Sequence, residues 1–461
     1  MPISSFYGLQ TSLRGLLAQQ RLLDTAGHNI ANAATKGYSR QEAALVASPA
    51  LQIPAGGIAG GSGAHLGSGV DVQQYRRIRD QFIDLQYRGQ NTNLGEWAAR
   101  AGALDSAELA LAEPGENGIN EQLSRFWDAW SNLANANADP AAAKQALIEQ
   151  ANGLADAFQT VGAQIGLVQG QSYAEYANLA RAGGVPSPGD PGGEVAQIAR
   201  DVADLNDTIR RFITSGDLPN DLLDRRDQLL DNLSEFGQIS VEEQADGTIN
   251  VSFVDKASAG TTYPVVTGVT ASWAGPPAGD AWSPGGRLGG LLEASRPGGT
   301  LDGFLATLDT VATSLATVVN GTYGGTFFES GPGSAAASLR VEASLAADPQ
   351  LVVAGSGASG TRDIALAVSQ LRDTATVDGA YRAFVAEFGS HVREAIRQEG
   401  NAQVLTNAVE NRRQSVSGVS MDEEMTNLVR FQRSYQASAR AMSTMDEMLD
   451  VLINRTGRVG L

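Results

Sequence analysis

Apolar residues recur at every third and fourth position near both ends of the chain. Phe6, Leu9, Leu13, Leu16, Leu23 and Ile30 alternate those spacings, with Gln20 and Gly27 as lapses. This pattern predicts a helix over residues 4–32 carrying a heptad seam. At the far end Leu428, Phe431, Tyr435, Met442, Met445, Leu449 and Leu452 repeat it, with Ser438 the one polar lapse. Between them lie Leu147, Ala151, Leu154, Phe158, Val161, Ile165 and Val168. A further set, Val195, Ile198, Val202, Leu205, Ile209 and Phe212, follows a Pro/Gly-rich linker at 183–193. "NDLLDRRDQLLDNLSEF" (220–236) reads as another such helix, through Leu222, Arg226, Leu229, Leu233 and Phe236. Asp139-Pro140 looks like an N-cap followed by proline at the first helical position. Further helical patterning covers about 75–112, 300–320 and 378–414.

Other stretches break the helical period. Gly37 sits where a left-handed helix cap belongs, with Lys36 beside the negative helix end. After it "GYSRQEAALVA" reads as extended, residues 51–69 are Gly-rich and irregular, and "GSGVDVQQY" alternates like a strand. "ISVEEQADGTINVSFV" is two strand patterns around Asp246-Gly247, a hairpin signal. Strand-like sequence then continues to about 286.

The expected fold is mainly α with a small β insertion, an elongated multi-domain rod. Its N- and C-terminal helices pair as a coiled-coil inner domain of 1–44 plus 416–461. A helical-bundle domain of 45–236 plus 287–415 follows, and a small β-rich outer domain of 237–286 is inserted in it. In a lone chain the terminal seams lack a full partner, so both termini are expected to be disordered in free monomer.

Composition narrows the functions. The net charge of -18 argues against nucleic-acid binding, which needs a basic face. Zero cysteines remove disulfides, thiolate metal sites and cysteine nucleophiles together. The start, Met-Pro-Ile-Ser-Ser-Phe, lacks the charged and apolar regions of a cleaved secretory signal. No apolar run approaches the ~18 residues of a membrane span. The expectation is a soluble chain, cytoplasmic or exported by a route without a cleaved signal.

Catalytic signatures are mostly missing. His28, His65 and His391 lie far apart, none in H-E-x-x-H. No serine has the glycine spacing of a nucleophile elbow, and none of Lys36, Lys144 and Lys256 completes a phosphate-binding loop. In "GGSGAHLG" the third glycine of a dinucleotide fingerprint falls on Leu66. The acidic series Asp217, Asp221, Asp224, Asp227 and Asp231 is the best enzyme-like candidate, because carboxylates sharing a helix face can bind metal or move protons. Arg225 and Arg226 interleave with it, so a solvated or salt-bridged helix face is the simpler reading. The C-terminal helix is rich in Met (Met421, Met425, Met442, Met445, Met448), a residue suited to surfaces that repack against different partners. With Ile30 on the seam, Asn29 and Asn32 would point away from it, toward a neighbouring subunit or the connecting segment.

"SSFYGLQTSLRGLLAQQRLLDTAGHNIANAATKGYSRQ" resembles the N-terminal segment of bacterial flagellar rod, hook and hook-associated proteins. The matching core is Asn29-Ile30-Ala31-Asn32, then Thr35, Gly37, Tyr38 and Arg40. "SGVSMDEEMTNLVRFQRSYQASARAMSTMDEMLDVLIN" resembles the matching C-terminal segment. "NDLLDRRDQLLDNLSE", "GGRLGGLLEASR" and "LDTVATSLATVVNGTY" narrow the resemblance to the hook-associated protein 1 family. Two departures are a short segment after "VVNGTY" and a modest β insertion.

That resemblance implies a non-catalytic structural subunit with no cofactor, placed outside the cell in a ring at the hook–filament junction. It implies as partners further copies of itself, the hook protein, a second hook–filament junction protein, a flagellar export chaperone and the type III export apparatus. It also implies that the N-terminal helix and joint, and the C-terminal helix, carry assembly, with the C-terminal helix also binding the chaperone. Two rivals are a hook or rod subunit, against which "NDLLDRRDQ" argues, and a secreted enzyme on the same frame. The latter would need a His/Asp/Ser or metal constellation, and the β segment contains no His.

Overall fold

A computed structural model describes residues 6–53, 64–111, 113, 115, 118–136, 140–183, 190–258, 260–357, 361–374 and 376–455. The expected N-cap Asp139 and much of the Gly-rich loop and the Pro/Gly linker lie outside these residues. In chain order the elements are α1 (Tyr7–Ala31), β1 (Gln41–Ala47), β2 (Leu51–Ile53), β3 (Ala64–Leu66), β4 (Val70–Arg77), α2 (Gln81–Leu111), α3 (Ile119–Asn135), α4 (Pro140–Ala180), α5 (Glu194–Thr214) and α6 (Asn220–Phe236). Then come β5 (Ile239–Glu243), β6 (Ile249–Val254), β7 (Thr262–Thr267), β8 (Thr270–Ala271), α7 (Gly286–Ser295) and α8 (Thr300–Tyr323). The chain finishes through β9 (Phe328–Glu329), α9 (Ala335–Ser338), β10 (Arg340–Val341), α10 (Ala343–Ala347), α11 (Asp363–Ser369), α12 (Asp378–Ser417) and α13 (Met421–Asp450). The fold is mainly α with few, small sheets, as the sequence pattern predicts. At about 1.5 Å rise per residue, the 41 residues of α4 run about 60 Å, which makes the helical body long.

The body has two adjoining cores. In the first, α3 and α4 bury Phe126, Trp127, Trp130, Leu154 and Phe158 against α8 and α12. Trp127 Nε1 donates to Asp378 Oδ2 at 3.0 Å, satisfying a buried indole N–H. In the second, the end of α4 and helices α5, α6 and α7 pack on the meander β5-β6-β7-β8. Trp282 Nε1 donates to Tyr176 Oη at 2.8 Å, and Trp273 Nε1 to the Ala180 carbonyl at 2.8 Å. The β5–β6 hairpin turns at Asp246-Gly247, with Gly247 at φ 81°. The sheet therefore shares its core with α5–α7.

The two terminal helices pair with each other, and they run antiparallel. A Cβ added at Gly8 would stand 2.6 Å from Met445 Sδ, and one at Gly15 would stand 3.5 Å from Ser438 Oγ. As the α1 number rises, the α13 number falls. Within one chain each terminal helix thus has the other as partner, the pairing expected of the inner unit. The ribbon β1–β4, paired antiparallel from Gln41↔Arg77 to Ala47↔Val70, lies against α1. Tyr7 Oη donates to the Gly67 carbonyl at 2.8 Å, and Arg14 Nη1 to the Ser68 carbonyl at 3.2 Å.

The register of the N-terminal seam is corrected by one position. The buried residues of α1 are Ala18, Leu22, Ala26 and Asn29, in line with Gly8 and Gly15. The row of Leu9, Leu16, Leu23 and Ile30 is only half-buried, while Phe6 is 50% exposed and Leu13 44%. Small residues let the α1 and α13 backbones approach, so the larger leucines fall beside the contact instead of in it. On α13 the stripe Leu428, Phe431, Tyr435, Ser438, Met442 and Met445 is half-buried and Leu449 buried. Leu452 is exposed and falls on a π-helical turn, Val451–Arg455, that continues α13. α1 also stops at Ala31, with Asn32 as its cap. Gly37, at φ 82°, closes a run of turns six residues later and does not cap the helix.

Candidate functional site

Motif residues from both ends of the chain meet at one face of α6, where the terminal pair joins the body. Asn29 is 2% exposed and belongs to the buried face of α1, contrary to the expectation that it points away from the seam. Its Nδ2 donates to the Gln41 carbonyl at 2.9 Å, and its Oδ1 accepts from the Gln41 N–H at 2.9 Å. Tyr38 Oη donates to the same Oδ1 at 2.8 Å. One amide thus mimics a strand partner for the first residue of β1, holding the connecting segment against the helix. Burial, with the charges of Asp221 and Asp224, pushes the Tyr38 phenol well above its ordinary pKa, so it stays a donor.

The other joint residues do less. Asn32 Nδ2 donates to the His28 carbonyl at 3.1 Å within its own helix end, and Thr35 Oγ1 donates to Asn32 Oδ1 at 3.3 Å. Thr35 and Gly37 are exposed. Arg40 bridges to the far end of the chain: Nη1 donates to Glu423 Oε2 at 2.9 Å, and Nε lies 2.8 Å from buried Glu424 Oε1. Its backbone N–H donates to the Ser417 carbonyl at 2.9 Å, and its carbonyl accepts from the Ile78 N–H at 2.9 Å. Arg40 thereby ties the segment after α1 to the end of β4, the end of α12 and the start of α13.

On α6, Asp224, Asp227 and Asp231 form the salt-bridged face that the simpler reading expects, while Asp221 is largely exposed, and the pairing is not with the neighbours Arg225 and Arg226. The partners come from elsewhere in the chain. Arg77 Nη1 donates to Asp224 at 2.8 Å and to Asp227 at 2.7 Å. Arg79 grips Asp84 bidentately at 3.0 and 2.8 Å and reaches Asp227 at 2.9 Å. Arg88 bonds Asp231 at 2.9 Å, and Arg413, from the end of α12, bonds the other oxygen of Asp231 at 2.5 Å. The Arg413 guanidinium also lies 4.0 Å from the Tyr87 ring centroid. Burial alone would raise the Asp227 pKa. Arg79, Arg77 and Arg88 outweigh it and hold this carboxyl below its usual value. Asp221 accepts from Gln41 Nε2 at 2.7 Å, and the Ser39 N–H donates to Asp224 at 2.9 Å.

"NDLLDRRD" is thus a docking plate for the segment after α1, for β4, for the start of α2 and for the end of α12. Reading α6 alone could not show this. The available signal was "QYRRIRD" (74–80), a cluster of arginines with no acids at helical spacing before them. Asp224, Asp227 and Asp231 are each occupied by guanidinium groups, whereas Asp221 meets Gln41 and His28 at the exposed edge. Among the described residues no group of three or more His, Cys, Asp or Glu is placed to hold a metal ion, and no helix is long and apolar enough to cross a membrane.

Comparison with known proteins gives the same direction from both ends. Residues 104–325 match the family model described as "Flagellar hook-associated protein FlgK helical domain". Residues 410–455 match "Flagellar basal body rod FlgEFG protein C-terminal", and 9–38 match "Flagella basal body rod protein". Flagellar hook-associated protein 1 of Bacillus subtilis (strain 168) is 30% identical over 518 aligned residues, spanning 98% of this chain and 99% of that protein. The protein of that name from Salmonella typhimurium is 31% identical over 265 residues, 56% of this chain and 42% of its own length. The solved flagellar hook junction protein FlgK from Burkholderia pseudomallei shares 21% identity at a TM-score of 0.43, over 54% of this chain and 47% of that one. With nearly its whole length aligned to such a relative, the chain belongs to the flagellar hook-associated protein 1 family.

Proposed function

We propose that this chain is a structural subunit of the junction ring between flagellar hook and filament. It assembles through its terminal helices after type III export and does no chemistry. One observation carries the reading. The paired helices α1 and α13 satisfy each other through small residues, yet leave large apolar side chains on their outer faces. Leu13 and Leu17 on α1, and Met421, Met425, Val429 and Met448 on α13, are all exposed. Apolar surface of that kind on both halves of one pair marks an interaction face. Its partners in this reading are neighbouring copies, the hook protein and a second junction protein. Before export, the Met-rich α13 is the segment a chaperone would cover. The inner unit would be 1–44 plus 416–461, the helical body 45–236 plus 287–415, and the outward β part 237–286. That Asp224, Asp227 and Asp231 are held by arginines supports a non-catalytic role.

Deleting the last 30 or so residues tests the proposal. Assembly should be abolished while the body keeps its helical signal and cooperative unfolding. Truncated protein that still joins hook to filament overturns it, and so does labelled full-length protein found elsewhere on the organelle.

A further inference from the structure

The sulfur of this chain is concentrated on one helix. The sequence has six methionines and no cysteine, and Met421, Met425, Met442, Met445 and Met448 all lie on α13. The thioether is therefore the group through which a mild oxidant acts on this chain, and it acts on α13. The five do not stand alike. Met421, Met425 and Met448 are exposed, whereas Met442 and Met445 are half-buried.

Met445 packs directly on the α1 backbone. A Cβ added at Gly8 would stand 2.6 Å from its Sδ and 2.9 Å from its Cε, so the CH3–S end fills the notch left by the missing side chain. Ser12 Oγ, one turn further on α1, lies 3.9 Å from the same sulfur, a weak contact. Half-burial leaves the residue in reach of a small solute at the edge of the pair. Hydrogen peroxide reacts at a sulfur lone pair. An S–O bond forms, the peroxide O–O bond breaks, sulfur gives up two electrons and water leaves. The product sulfoxide is polar and one heavy atom larger. Turned inward, its oxygen finds no room beside Gly8. Turned outward to water, it draws the side chain away and empties the notch, and the dispersion contacts made there are lost. Both orientations weaken the pair at the same place.

We propose that Met445 is an oxidation site that governs the α1–α13 pair. Its conversion to the sulfoxide by hydrogen peroxide, while the chain is free, opens the end of the pair at Gly8. Oxidation of Met421, Met425 and Met448 alters the outer face but leaves the Gly8 contact in place. The opening stands on that contact alone. Its consequence for assembly rests on the terminal-helix reading above.

Amide exchange and peptide mass spectrometry on the full free chain, treated with dilute hydrogen peroxide, test it. As Met445 is converted, residues 7–15, which span both glycine contacts, should lose exchange protection while the α3–α4 core keeps it. Met445→Leu, close in volume but without the sulfur, should keep that protection through the same treatment. A triple variant, Met421→Leu with Met425→Leu and Met448→Leu, should lose it as the wild type does. Full conversion of Met445 with protection unchanged overturns the proposal. So does an equal loss in Met445→Leu, or a Met445 that stays unoxidised when the three exposed methionines are fully converted. Met445→Gln puts a polar amide in the notch and should lose the protection with no peroxide present; intact protection there also overturns the proposal. The same variant separates the two readings. Lost protection with impaired incorporation at the hook–filament junction supports both. Lost protection with normal incorporation leaves the oxidation site standing and removes assembly through the terminal helices.

Discussion

Asp227 takes hydrogen bonds from Arg77, Arg79 and Arg88, three arginines that no helix of its own supplies. Removing one partner from such a buried cluster leaves charges uncompensated, so Asp227→Ala should cost about 3–5 kcal/mol by urea unfolding. The pH dependence follows from its lowered pKa. A carboxyl whose folded pKa lies below its unfolded value of about 3.9 contributes stability above that value, and loses it as pH falls through the folded pKa. The difference in unfolding temperature between the wild type and Asp227→Asn should therefore shrink as the solution is acidified below about pH 4. Asn29 and Asn32 make a second residue-scale contrast. Asn29→Ala strands the Gln41 N–H and carbonyl and should cost about 1–3 kcal/mol, whereas Asn32→Ala removes only bonds at an exposed helix end and should be close to neutral. Sequence pattern placed both asparagines at the joint but could not rank them. The ranking depends on the helix register, and the register depends on a partner 400 residues away.

At the scale of elements, the long periodic helices are legible: α4 buries nearly all of the row its spacing predicts, α5 and α6 bury most of theirs, and the α13 row is half-buried. Two things are not. Helix α3 does not stand out in the sequence pattern although it carries Trp127 and Trp130, because it is bounded by breaks before Ile119 and after Asn135 and its apolar residues cluster in aromatics. The α1 seam was read one position off, since a search for large apolar residues passes over glycine and alanine. Yet Gly8 and Gly15 are what face α13, and Ala18 and Ala26 are buried on the same helix. The correction yields a paired prediction. Gly8→Leu forces a side chain into Met445 and should cost about 1–3 kcal/mol of pairing, read as faster amide exchange along residues 7–31. Leu13→Ser, on the outer face, should leave that exchange unchanged while weakening assembly.

For the whole molecule, the joint links regions that no local pattern connects. Asp227 touches neither terminal helix, yet it fixes β4 and the base of the pair. Asp227→Asn should thus raise amide exchange in both α1 and α13, while the α3–α4 core keeps its protection. Texture changes along the chain mark the β5–β8 segment, but not that its sheet shares a core with α5–α7. The crossing of α6 with both ends is not legible either, because oppositely charged partners such as Arg413 and Asp231 are far apart in sequence. The bond between the Arg40 N–H and the Ser417 carbonyl has a kinetic corollary. Gly8 and Met445 are separated by most of the chain, and closing so long a loop carries a large entropic cost. Once the body has folded and brought residues 40 and 417 together, the same pairing closes only a short hairpin. Zippering of the two ends is then fast, but only after every intervening residue has arrived and folded, so the helix pair acts as a completeness check on the chain.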